Sequence, residues 1–265
     1  MDKSIMDDGE TFFYRDEGSG LPVMLVHGFA EDGTVWEEVA AGLKSGCRLL
    51  IPDLPGSGRS SFPPEETSME TLAAALIRLL DHEGVDRCVF IGHSMGGYVT
   101  LALAERYPLR VLAFGFFHST AYADSDEKRS GRLKSMEFIR QHGAASYIRQ
   151  STPNLFAPAT REQRPALVEN MIRRYSDFSG DALVAYLKAM MQRRERLSVL
   201  ERFTVLFIIG ENDQVIPLEQ SLKQSHLPEI AHIHLLPAAG HMGMLEDAKT
   251  GIEIIRSFLN FITNI

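Results

Sequence analysis

Two cysteines in 265 residues leave no basis for a disulfide framework. Cys47 and Cys88 each stand near the start of an apolar run and read as buried thiols. No apolar run reaches the ~18 residues that a membrane span needs. The first ten residues, MDKSIMDDGE, are acidic and lack the apolar stretch of a secretory signal, so a cytoplasmic protein is the default expectation. Basic residues are in deficit: 27 Lys and Arg stand against 35 Asp and Glu, a formal charge of −8. That balance argues against a nucleic-acid surface, which needs a basic face. Repeats and low-complexity tracts are also missing.

What is present alternates. Short apolar runs such as LPVMLVHG (21–28), CRLLIPD (47–53), RCVFIG (87–92), RVLAFGFF (110–117), TVLFIIG (204–210) and HIHLLP (232–237) are separated by longer segments with helical spacing. This pattern predicts an α/β fold with a mostly parallel central sheet flanked by helices. TFFYRDEG (11–18) is expected as an edge strand. Helices are expected over 34–43, 69–82, 98–107 and 246–261. Between residues 119 and 200 no strand is apparent, and three successive helical stretches follow one another. They predict an inserted helical lid over one end of the sheet, with 1–118 and 201–265 forming the core. Thr160 and Gln163 have capping-box spacing.

The stretch GHSMGG (92–97) carries the chemical signal. Gly92 and Gly96 bracket Ser94 at ±2, between a strand and a helix. A sharp strand-to-helix turn of this kind needs small residues beside it and pushes the serine hydroxyl out at the carboxyl end of the sheet. A glycine-softened turn with an incidental serine has the same spelling. The distinction lies downstream, because a serine hydroxyl needs a base, and the base needs an orienting acid. GENDQVIP (210–217) places Asp213 just past a strand, with Glu211 as a nearby alternative. AGHMGMLE (239–246) places His241 between the last strand and the last helix. Three such positions in the order Ser94, Asp213, His241 make a Ser-His-Asp catalytic set the expectation. An oxyanion needs two N–H donors; Met95 would supply one, and Phe29 in the turn after LVHG the other.

HGF (27–29), DLPGSGRS (53–60), GHSMGG, GENDQVIP and AGHMGMLE occur in the order found in α/β-hydrolase fold enzymes. The chain resembles the small, capped, cofactor-free branch that contains carboxylesterases, enol-lactonases and carbon–carbon bond hydrolases. The resemblance runs from about residue 11 to 261 and is specific for fold and machinery, not for substrate. It implies that 119–200 is the family's cap. It also excludes relatives that use an aspartate nucleophile, since Ser94 holds that position.

The expected activity is therefore hydrolysis of a small carboxylic ester, lactone or thioester, with a small-molecule acyl substrate as the partner. Carbon–carbon cleavage of a diketone-like substrate, or a slow-turnover ligand receptor of the same fold, are the alternatives. His118, which ends a strand at the same sheet edge, is expected at the pocket rim, or else held by hydrogen bonds beneath the lid. Met95, Met242 and Met244 are expected to line an apolar pocket, and Met190 and Met191 to serve lid packing. The RRERL run (193–197) reads as a solvated helix face. No Cys/His cluster has metal spacing: His232 and His234 share a strand face without a third ligand. No G-x-G-x-x-G follows a strand, so neither metal nor dinucleotide is expected. Pairing of two copies stays open.

Overall fold

The computed structural model describes residues 1–7, 10–62 and 67–264. Asp8 and Gly9 of the acidic N-terminal stretch lie outside the described residues. Eight strands form one sheet: β1 (Asp2–Asp7), β2 (Glu10–Gly18), β3 (Leu21–Val26), β4 (Cys47–Pro52), β5 (Cys88–His93), β6 (Val111–Phe117), β7 (Val205–Gly210) and β8 (Ala231–Leu236). Their order is β1-β2-β4-β3-β5-β6-β7-β8. β2 runs antiparallel to β1 and β4, and all remaining pairs are parallel.

The central strands are buried on both faces, which is why they read as unbroken apolar runs. Leu25 pairs with Ile91, and Ile91 in turn with Gly115. TFFYRDEG is not the edge strand: β1 covers it, and Lys3 opposite Tyr14 reaches Asp16 and Glu83. Charges in DKSIMD conceal that strand from a periodicity reading. β8 is the other edge, and its outer residues Ile233 and Leu235 are exposed. His232 there packs against the rings of Phe258 and Phe261.

The connecting helices are α1 (Glu37–Leu43), α2 (Met69–His82) and α3 (Met95–Arg106). In α2, Leu72, Leu76, Leu79 and Leu80 bury one face, and the start is fixed by a capping box between Ser68 and Thr71. Among the described residues 118–204 there is no strand. That segment forms α4 (Asp126–His142), α5 (Ala144–Ser151), α6 (Pro158–Gln163), α7 (Pro165–Tyr175), α8 (Gly180–Gln192) and α9 (Leu197–Leu200). Pro165 separates α6 from α7, because a proline tolerates only the first helical turn. The Thr160–Gln163 capping box does not form. Thr160 lies inside α6 and donates to Glu246 Oε2 at 2.6 Å. The chain closes with α10 (Leu218–Gln224), α11 (Gly243–Glu246) and α12 (Ala248–Thr263).

RRERL is not a solvated helix face. It lies between α8 and α9, and Arg193 and Arg196 are buried. Arg193 Nη1 donates to Asp124 Oδ1 at 2.8 Å, and Arg196 reaches Glu70 and Glu105. Only Arg194 of the three stands out into solvent.

Candidate active site

Ser94 sits between β5 and α3 with φ 47° and ψ −114°. The glycines at ±2 are explained by contact. A Cβ on Gly92 would lie 2.5 Å from the Gly96 carbonyl carbon, and one on Gly96 would lie 2.3 Å from the Val26 oxygen. The Ser94 N–H donates to Phe117 O at 3.1 Å, while its carbonyl accepts from Gly97 N and Ser119 Oγ. These bonds hold a backbone conformation that costs a non-glycine residue on the order of 1–3 kcal/mol. Ala30 (φ 58°) and His118 (φ 52°) are the other non-glycine residues with positive φ among those described. Each follows the carboxyl end of a strand, so the strain gathers at one end of the sheet.

Ser94 and His241 line the same cavity, of about 400 Å³. His241 Nδ1 lies 2.8 Å from Asp213 Oδ2, and Asp213 Oδ1 accepts from the N–H groups of Val215 and Ile216. Burial pushes the Asp213 carboxyl upward. The His241 and His118 imidazoles and these N–H groups outweigh it, holding the acid below its ordinary range. Glu211 is exposed and takes no part. A buried carboxylate that grips Nδ1–H leaves Nε2 as the proton-accepting atom of the ring.

Phe29 also lines the cavity. Among the described residues no acceptor meets its N–H. Met95 opens α3, where first-turn N–H groups have no intrahelical partner. The motif residues around them are structural braces. His27 Nε2 accepts from Leu54 N at 2.9 Å, and Asp53 accepts from the N–H groups of Gly33 and Arg59.

Three expectations need correction. His118 is not at the rim but, as the other expectation had it, is held by hydrogen bonds: it is buried, with the N–H groups of Gly210 and Gly243 aimed at its ring nitrogens. Burial first, with the neighbouring imidazoles, pushes its pKa down to about 3 against the pull of Asp213. The ring is neutral there, so one of its nitrogens accepts from Gly210 or Gly243 and the other carries the proton. Met242 is fully buried and does not line the cavity, nor do Met95 and Met244. The methionines that do are Met171 and Met190, so Met190 is more than packing.

Sequence reasoning missed a second buried pair. His93, just before Ser94, places Nδ1 3.0 Å from Glu31 Oε2 and Nε2 3.0 Å from the His241 carbonyl. Glu31 Oε2 also accepts from Gly28 N at 2.8 Å. Burial disfavours charge on both, but their mutual attraction prevails, raising His93 and lowering Glu31. Both ring nitrogens of His93 thus face acceptor oxygens, an arrangement that favours its protonated form. The only sequence signal was an acid near the HGF turn.

The histidine loop is also tied to the helical segment. His241 N donates to Leu155 O at 2.7 Å. Glu246 takes Ala157 N and Thr160 Oγ1 on one oxygen, and Gly240 N and Met242 N on the other.

Residues 22–248 match the family model for the alpha/beta hydrolase fold. The dihydrolipoyllysine-residue acetyltransferase component of an acetoin cleaving system from Pseudomonas putida is 29% identical over 247 residues; the match covers 91% of this chain and 64% of that relative. A 2-hydroxy-6-oxo-2,4-heptadienoate hydrolase from Pseudomonas putida is 28% identical, covering 92% of this chain and 91% of that one. A thermophilic esterase from Thermogutta terrifontis superposes with a TM-score of 0.92 at 28% identity, over 99% of both chains. With this sheet order, the strand-to-helix corner at Ser94 and a family match over most of its length, the chain belongs to the α/β hydrolase fold family.

Proposed function

We propose that the protein is a serine hydrolase acting on a small carboxylic ester, lactone or thioester. One observation carries the reading. Ser94, at a strained corner, opens on the same cavity as His241, whose Nδ1 is held 2.8 Å from the buried Asp213. Ser94 Oγ attacks the acyl carbon as His241 Nε2 takes its proton. The Phe29 and Met95 N–H groups receive the charge that builds on the carbonyl oxygen. Collapse expels the leaving group, which takes the proton from His241 and leaves an acyl-enzyme. Water, deprotonated by the same imidazole, then releases the acid and restores Ser94. The helical segment 119–200 acts as the cap that shapes the acyl pocket. Asp213 holds the ring in the tautomer that presents Nε2 and stabilises the imidazolium.

A second reading, carbon–carbon bond hydrolysis, draws on the likeness to the heptadienoate hydrolase. It uses the same three residues and differs only in the bond broken.

The test is intact mass after exposure to a fluorophosphonate. The parent is expected to gain one adduct, while Ser94→Ala and His241→Ala gain none on the same timescale. An unmodified parent, or an adduct that survives in Ser94→Ala, would overturn the assignment. A panel of esters, lactones and diketones then decides which bond is cut.

A further inference from the structure

Phe29, Leu155, Met171, Leu187 and Ile216 give the cavity an apolar part of its lining. Another part comes from α4, where Lys128, Gly131, Arg132 and Ser135 all line the cavity. Their spacing of three and four residues is a helical stripe. α4 therefore turns a polar, cationic face inward, where an apolar one would be expected of a cavity wall in contact with a core. Only Met136 and Ile139 of the helix are buried apolar residues.

The charge on that wall is not balanced. Among the described residues Asp124 is the single carboxylate bonded to Arg132 or Arg193. It is shared, with Arg193 Nη1 2.8 Å and Arg132 Nη2 3.2 Å from Oδ1 and Arg132 Nε on Oδ2. Arg132 Nη1 has only the Met190 sulfur, at 3.3 Å. Lys128 Nζ donates to two neutral acceptors, Val215 O at 3.2 Å and Gln220 Oε1 at 3.3 Å. Arg132 and Arg193 thus share one carboxylate, and Lys128 adds a cation to the cavity lining that bonds neutral acceptors. Burial and the two guanidiniums push the Lys128 ammonium below its ordinary range, against the pull of Asp124 and Asp213. Glu31, the acid in the cavity lining among the described residues, is already engaged by His93, and Asp213, behind the lining, by His241. An uncompensated half-buried cation pays a desolvation cost that an anionic ligand removes.

We propose that Arg132 and Lys128 form an anion-binding end of the cavity, so that the substrate is a small ester or lactone carrying a carboxylate remote from the scissile carbonyl. This rests on the serine hydrolase reading for the ester and on the cation cluster alone for the carboxylate. The apolar lining residues take the carbon chain, and a cavity of about 400 Å³ suits a small molecule of this kind.

The experiment is calorimetric titration of Ser94→Ala with the monomethyl esters of succinate, glutarate and adipate, each against its neutral dimethyl ester. The anionic member of at least one pair should bind more tightly by roughly ten- to a hundredfold, the strength of a charge-assisted contact. Adding Lys128→Gln or Arg132→Gln should remove that preference. Arg132→Gln also takes a partner from Asp124, so if it fails to fold, Lys128→Gln decides the matter, since Lys128 holds only neutral acceptors. No preference in any pair, or one untouched by Lys128→Gln, overturns the proposal. Fluorophosphonate labelling of the parent is read separately. Labelling without anion preference removes only this inference, whereas anion preference without labelling removes the hydrolase reading and leaves the binding site.

Discussion

Replacing Glu31 with glutamine tests whether the buried pair under the site is ionic. In the parent, Glu31 Oε2 faces His93 Nδ1 at 3.0 Å, with both side chains almost wholly buried. Stranding one partner of such a pair costs about 3–5 kcal/mol when the other must stay charged. His93 has an escape, since its ordinary value of 6.5 lets it shed the proton near neutral pH. Glutamine can also still accept from Gly28 N. The loss at pH 7.5 should therefore shrink to about 2 kcal/mol, the worth of one charge-assisted hydrogen bond. The pH dependence follows from the two shifts. His93 is raised, so its contribution is complete below 6.5 and fades as pH climbs through its higher folded value. Glu31 is lowered, so its contribution is present above 4.5 and fades as pH drops through its lower folded value. Both operate together between those two ordinary values. In Glu31→Gln, a neutral buried His93 opposes an unfolded chain that binds the proton, adding about 1.4 kcal/mol per pH unit below 6.5. Urea unfolding of parent and variant at pH 5.5 and 8.5 should show a loss near 3 kcal/mol at the lower pH and a clearly smaller one at the higher. A loss under about 0.5 kcal/mol, or the same loss at both, refutes the ionic pair.

Two further predictions concern the corner and the acid. Gly96→Ala forces a methyl to 2.3 Å from the Val26 oxygen, so β3 and α3 must part; the variant should lose about 3 kcal/mol or more by urea unfolding, and a loss below 1 kcal/mol would contradict the close approach. Asp213→Asn keeps the shape but deprives Nδ1–H of its acceptor charge, and acyl-enzyme formation in a stopped-flow burst should slow by about 10⁴-fold while the fold persists. A slowdown under tenfold would mean the carboxylate does not orient His241.

The sheet was legible because its central strands are buried on both faces and so spell continuous apolar runs, while α2 and α12 carry single apolar stripes. β1 was not, because it carries charge, Lys3 being satisfied by Asp16 and Glu83 and Asp2 by Arg59, rather than a clean alternation with apolar residues. Ser94, Asp213 and His241 could be picked out because each follows a strand by a few residues, a local property. The Glu31–His93 contact spans 62 residues and has no local mark. Arg193 and Arg196 misled, and the cationic stripe of α4 passed unread, for one reason. Charge in a sequence is read as exposure, but here Asp124, Glu105 and the cavity itself receive it. The methionines failed similarly, since adjacence to Ser94 or His241 along the chain says nothing of which way a side chain turns.

Glu246 belongs to the core by sequence, yet it holds both the start of α6 and the two amides that flank His241. His241 itself is fastened to Leu155. The helical segment and the His241 loop are thus fastened together as one mechanical piece. A molecule large enough to wedge the segment upward would pull on the imidazole as it entered, and a molecule that fits beneath leaves it seated. On the hydrolase reading proposed above, size selection would act through the alignment of His241 as well as through the walls of the cavity, so oversized ligands would bind and yet not react.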